Sequence, residues 1–173
     1  MGDELLRTDN SQYMTALEEH GDTVYRICLV YLKNKADAED VFQTVFLKLC
    51  EAKPSFHDAG HCRAWLITVA RNECKNTLRS FWRRRVTCVE EIILPVEDGT
   101  DRQVVRAVLA LPVKYRDVVY LFYYEGYKIG ELAAMLGLKE PTVKTRLRRG
   151  RQLLKTTLTE GALFDEEKSA EGI

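Results

Sequence analysis

The chain has 173 residues, 46% of them hydrophobic and 30% charged, with 26 Lys and Arg balanced by 26 Asp and Glu. That length suits one or two small domains, and no apolar run approaches membrane-spanning length. The N-terminus MGDELLRTDN is acidic and polar, unlike a signal peptide, and five scattered cysteines (Cys28, Cys50, Cys62, Cys74, Cys88) without a C-x-x-C pair argue against a disulfide framework.

Nearly every segment repeats its apolar residues at helical spacing, which predicts an all-α fold. Ser11 or Asp9 is expected to cap a first helix ending at Gly21, and Asp22 to cap a second running through Leu32. The next helix, about Ala36 to Ala52, stops before Pro54. Ala38, Val41, Phe42, Val45, Phe46 and Leu49 share one wide face of it, and Asp40, Gln43, Thr44 and Leu47 lie opposite. A leucine among acidic and amide groups suits a protein-docking surface.

The loop KPSFHDAGHC leads into a long helix from about Cys62 to Arg84. Here Trp65, Phe81 and Trp82 alternate with Arg71, Asn72, Lys75, Asn76, Arg79 and Arg83–Arg85. Interleaved aromatic, amide and basic groups can stack on exposed bases, pair with base edges and neutralise phosphates. Residues 86–100 contain Pro95 and Gly99 and read as a linker.

Beyond the linker, Asp101 is expected to cap a helix to Leu111 that ends at Pro112, and another helix spans roughly Lys114–Glu125 up to Gly126. The segment KIGELAAMLGLKEPTVKTRLRRGRQLL then has the pattern of a helix-turn-helix. Leu132, Ala133 and Leu136 form one apolar stripe, Gly137 supplies the turn, and Val143, Leu147, Gly150 and Leu154 form the next stripe. Pro141, Thr145, Arg148 and Gln152 face the other way, flanked by Thr142, Lys144 and Arg149. The residues after Gly161 read as a frayed tail.

Neutrality overall is a cancellation between blocks. Residues 71–85 hold six basic groups and one acid; residues 86–101 hold five acids and no base; residues 139–155 hold seven basic groups and one acid. Two basic patches separated by an acidic connector imply two nucleic-acid surfaces.

Taken in order, DAEDVFQTVF at Asp37–Phe46, AWLITVARN at Ala64–Asn72 and LPVKYRDVVYLFYYEGYKIGELAAMLGLKEPTVKTRLRRGR resemble the polymerase-clamp motif, the promoter-melting helix and region 4 of a bacterial extracytoplasmic-function (ECF) sigma factor, the smallest class of the sigma-70 family. The resemblance implies region 2 at 9–85, an acidic linker at 86–100, region 4 at 101–160 and a tail at 161–173, and it covers roughly residues 10–158. It assigns Asp37, Asp40, Gln43, Thr44 and Leu47 to the clamp helices of the polymerase largest subunit, with the beta-subunit flap as a further contact. Phe56, Trp65, Arg71, Asn72, Lys75, Asn76 and Arg79 would bind the single-stranded minus-ten element. Thr142, Lys144, Thr145, Arg146, Arg148 and Arg149 would bind the minus-thirty-five duplex. Core RNA polymerase and promoter DNA are thus the expected partners in the cytoplasm, with an anti-sigma factor as a further partner and no membrane insertion.

Three departures fall at reading surfaces. Asn76 stands where the family usually has Asp, Cys74 is unusual in its helix, and Lys139-Glu140-Pro141 replaces the more common Ser-x-Gly before the recognition helix. A stand-alone regulator using the helix-turn-helix without polymerase is the competing reading; it predicts dimerisation and tight duplex binding by the isolated protein. No Gly-rich phosphate loop, Gly-flanked serine or carboxylate cluster points to an enzyme. His57, His61, Cys62 and Cys74 are the groups a zinc site would draw on, but their spacing matches no strong metal signature, so neither metal nor cofactor is expected.

Overall fold

The structure, a computed structural model, describes residues 2–84 and 102–170, with side chains described over 11–80 and 102–159. Every element among the described residues is an α-helix. The chain divides into two compact units, one built from α1–α3 and the other from α4–α7. The expected linker at 86–100 and the Asp101 cap lie outside the described residues.

In the first unit, α1 (Gly2–Leu32) packs on both α2 (Lys35–Ala52) and α3 (Ala59–Arg84), which also pack on each other. Its core is Val24, Ile27, Cys28 and Tyr31 from α1, Val41, Val45, Phe46 and Leu49 from α2, and Leu66, Ile67, Ala70 and Cys74 from α3. Each series recurs at three or four residues, so one face of every helix leaves water. Full burial of a Leu, Ile or Val is worth about 1.5–3 kcal/mol.

The expected break at Gly21 is absent. One helix runs from Gly2 to Leu32, without separate starts at Asp9, Ser11 or Asp22. Gly21 is buried within it, and a Cβ there would meet Leu17 Cδ1 at 3.6 Å and Phe42 Cζ at 3.9 Å. A mid-helix glycine costs only about 1 kcal/mol against alanine, and the apolar stripe continues on both sides of it.

The ends of α2 and α3 carry signals that sharpen the expected boundaries. Asn34 caps α2, its side-chain oxygen accepting the Asp37 N–H at 2.9 Å. Lys53 closes α2 in the left-handed region (φ 43°), its N–H donating to Leu49 O, and Pro54 follows. Asp58 Oδ1 accepts the His61 N–H at 2.7 Å. That cap starts α3 at Ala59, three residues ahead of the expected Cys62.

In the second unit, α7 (Glu140–Ala170) packs on α4 (Arg102–Ala110), α5 (Val113–Tyr123) and α6 (Ile129–Leu136). Pro112 precedes α5 as its cap residue, which suits a side chain whose missing N–H costs nothing there. Gly137, at φ 63°, ends α6 in the left-handed region that glycine occupies without strain, and Leu138 N donates to Ala133 O at 2.9 Å. The helical backbone of α7 continues through Gly161 to Ala170, where the sequence pattern leads one to expect a frayed tail. A single glycine is too weak a breaker to end a helix flanked by Ala, Leu, Phe and Glu.

Candidate polymerase and nucleic-acid interfaces

On α2 the two faces separate as the spacing requires. Ala38, Val41, Val45, Phe46 and Leu49 are buried, and Phe42 is half-buried. Edge-to-face contacts of Tyr13 with Phe46 (6.0 Å) and Tyr25 with Phe42 (5.9 Å) seat that face on α1. Opposite them Asp40 and Gln43 are exposed, and Leu47 is 61% exposed. Asp37 is half-buried in the first turn, where a carboxylate favours the helix N-terminus. Thr44 is half-buried as well, its hydroxyl donating to Asp40 O at 2.9 Å, so its methyl and the acceptor side of its oxygen remain for a partner. Lys48 Nζ lies 2.6 Å from Glu73 Oε1 and ties α2 to α3.

On α3 the expected DNA-facing set divides. Asn72, Asn76 and Arg79 are exposed at spacings of four and three, hence on one face, and Lys75 is half-buried beside them. Arg71 differs from the others: it is buried, at 7% exposure, among the interior residues of the unit. It falls four residues after Ile67 and three before Cys74, on the stripe that α1 and α2 cover. The side chains of Phe81, Trp82 and Arg83–Arg85 lie outside the described residues.

The loop before α3 folds its rings onto the start of that helix. Phe56 meets Trp65 edge-on at 5.8 Å and His61 at 5.4 Å, and the His57 and His61 rings stack at 5.3 Å. Phe56 and Trp65, both half-buried, are therefore neighbours although nine residues apart in sequence.

The four zinc candidates do not converge. Both histidines are exposed, whereas Cys74 is buried and hydrogen-bonded to Cys28. Twelve residues of helix put Cys62 and Cys74 about 18 Å apart. That hydrogen bond, then burial, holds the Cys74 thiol far above the usual range. Burial, reinforced by the charge of Glu19, pushes the Cys62 thiol up as well. No group of three or more metal-binding side chains occurs among the described residues.

The helix-turn-helix is formed by α6 and α7. Leu132, Ala133 and Leu136 on α6 and Val143, Leu147 and Gly150 on α7 are buried, and the two helices pack on each other. Gly137 to Lys139 makes the turn between the two helices. Lys128 precedes α6, and its N–H donates to Glu131 Oε2 at 2.7 Å, so the glutamate supplies the cap that lysine lacks. Val143 N and Thr142 N both donate to Lys139 O, which starts α7 without a side-chain cap. Thr142, Lys144, Thr145, Arg148 and Arg149 are all exposed. Arg146 is only half-buried, because it sits three residues after Val143 at the margin of the apolar stripe. The Thr145 hydroxyl donates to Pro141 O at 2.9 Å. Glu140, at the start of the helix and beside Lys144, is a member of this surface that composition alone passes over.

Among the described residues, no helix is long and apolar enough to cross a membrane. The Sigma-70 region 2 family model matches residues 16–84, and the Sigma-70 region 4 model matches residues 101–154. The chain is 33% identical over 153 residues to the ECF RNA polymerase sigma factor SigL of Mycobacterium tuberculosis, covering 83% of this chain and 86% of that protein. It is 30% identical over 154 residues to the ECF sigma factor SigE of Mycolicibacterium smegmatis, spanning 82% of this chain but 60% of the longer SigE. The fold resembles that of the sigma factor RpoE of Bartonella quintana, solved with the anti-sigma factor NepR, at a TM-score of 0.73 and 23% identity over 87% of this chain and 96% of that one. With both regions matched in their order along the chain, and a third of the residues shared with SigL over most of both proteins, the chain belongs to the ECF sigma factors of the sigma-70 family, which direct RNA polymerase to promoters.

Proposed function

We propose that the protein docks on the clamp helices of core RNA polymerase through Asp37, Asp40, Gln43, Thr44 and Leu47. In the holoenzyme it captures the opened minus-ten strand with Asn72, Asn76, Arg79, Lys75 and the Phe56–Trp65 rings. It reads the minus-thirty-five duplex with the exposed face of α7. It carries out no catalysis of its own; the polymerase supplies the chemistry. Its place of work is the cytoplasm, where the polymerase and the chromosome are, and an anti-sigma factor is the expected restraint on it, as NepR accompanies RpoE in the solved complex.

The observation that carries this reading is the contrast on α2. A helix with a largely buried aromatic-aliphatic face exposes Leu47 at 61% between acidic and amide groups, a composition that serves a partner better than water. Arg71, expected in this set from the sequence, is left out of the proposal because its side chain is buried. Its contribution is to the interior of the unit.

Transcription in vitro with core polymerase and a cognate promoter tests the strand-capture surface. Asn72→Ala and Asn76→Ala should weaken opening, read as permanganate reactivity of the melted thymines, by roughly ten-fold for base-edge contacts worth about 1–3 kcal/mol. Binding of the holoenzyme to a minus-thirty-five duplex fragment should stay near wild type. Unchanged permanganate footprints in both variants would remove α3 as the strand-binding helix.

A further inference from the structure

We infer that Glu140 is a specificity-determining residue of the recognition helix, its carboxylate accepting the exocyclic amino group of a cytosine in the major groove. The inference rests on α7 being the duplex-reading helix and names what its first residue recognises.

Glu140 is the first residue of α7, and recognition helices of this motif touch base edges with their N-terminal residues. It is the one acid among seven basic side chains between Lys139 and Lys155. Phosphates attract those seven cations and repel the carboxylate, so backbone contact gives no reason for an acid at this place. Among groups on the floor of the major groove, only the N4 amine of cytosine and the N6 amine of adenine donate to an acceptor.

The surroundings of the carboxylate narrow that choice. Glu140 Oε2 lies 4.0 Å from Lys144 Nζ, one turn along the same face, with the two side chains 55% and 62% exposed. On its other side is the first turn of α6, where a Cβ on Gly130 would stand 3.3 Å from Glu140 Oε1. The carboxylate is thus bracketed between an ammonium group and a glycine that leaves it room. An acceptor and a donor side by side match a C·G pair, in which cytosine N4 donates while guanine O6 and N7 accept. The alternative A·T pair offers the lysine a single acceptor on either side of the amine, adenine N7 or thymine O4, whereas guanine presents O6 and N7 together, a stronger partner for a cation. The ion pair is exposed and therefore weak enough to open when the bases compete for it.

The test is selection by holoenzyme from a promoter pool randomised over the minus-thirty-five element, with wild-type protein, Glu140→Gln, Glu140→Ser and Arg148→Ala. Thermal melting by circular dichroism verifies that each variant is folded, as expected for exposed positions. Wild type should enrich cytosine at one position by roughly ten-fold over other bases, the size of a single mismatch penalty. Glu140→Gln should move that one position toward adenine, which an amide reads with both its donor and acceptor, and Glu140→Ser should flatten it. Identical base preferences in wild type and both Glu140 variants, with only a uniform gain in duplex affinity, would overturn the inference and leave Glu140 as a mere charge. Arg148→Ala separates the two ways of failing. If it alters selection while the Glu140 variants do not, only this inference falls; if it too changes nothing, α7 is not the reading helix.

Discussion

Gly150 shows how much a single absent side chain decides. A Cβ at this position would stand 2.6 Å from Val119 Cγ2, closer than packed atoms tolerate, with Tyr115 Cβ at an ordinary contact distance of 3.6 Å. So α5 and α7 touch because position 150 has no side chain. Alanine is ordinarily the better helix former by about 1 kcal/mol. Here overpacking should reverse that, and Gly150→Ala should destabilise the second unit by about 1–3 kcal/mol in urea denaturation followed by circular dichroism. Adding Val119→Ala should recover part of the loss; an unchanged midpoint for Gly150→Ala would mean that α7 is not seated this closely.

The cysteines divide by the same residue-level logic. Cys28 and Cys74 are buried together, and the Cys74 thiol is held far above its ordinary range by hydrogen bonding to Cys28 and by burial, whereas Cys50 is exposed. Only thiolate reacts, so native alkylation read by peptide mapping should modify Cys50 roughly ten-fold or more faster than Cys28 or Cys74. Equal rates at Cys50 and Cys74 would contradict the packing of α1 on α3.

For whole elements, the question is which face each helix commits to the interior. In α2 the answer leaves a surface that can change without touching the fold. Asp40 and Gln43 are exposed, and substitutions at such positions usually stay within about 0.5 kcal/mol. Asp40→Arg combined with Gln43→Ala should therefore keep the wild-type melting temperature and lose co-purification with core polymerase. Full recovery of polymerase by that double variant would assign docking to another surface. In α3 the commitment is less clean: the face carrying Ile67, Arg71 and Cys74 goes inward although it includes a guanidinium, and the amide face stays out.

For the molecule as a whole, two units with separate cores mean that damage in one should stay there. Val143 is fully buried between α6 and α7, and an unpaired carboxylate in its place costs several kcal/mol. Val143→Asp in the full-length chain should abolish amide protection across α5–α7 while Val24, Ile27, Leu66 and Ile67 keep slow exchange. Loss of protection in both units, or in neither, would show that their cores are not independent. The charge balance belongs to this scale too. Equal numbers of acids and bases hide a recognition helix with seven cations, so net charge says little about what the protein binds.

The helical character, the stripe from Leu132 to Gly150, the buried and open faces of α2 and the exposed basic side of α7 were all determined by the sequence. Each depends on periodicity, and a period of 3.6 residues puts side chains on a common face wherever a helix forms. The motifs added the family. What periodicity does not contain is the identity of the surface opposite. Gly21 looked like a stop because glycine is a weak helix former, but α1 runs through it, its apolar stripe continuing on both sides, with Gly21 buried near Phe42. Arg71 looked like a phosphate ligand because cations favour water, and only the meeting of α3 with α1 and α2 takes it inside. The pairing of Cys74 with Cys28, the gathering of Phe56 with Trp65 and the approach of Gly130 to Glu140 are likewise contacts made by chain crossing, decided by tertiary structure because the partners are brought together only when helices and loops pack.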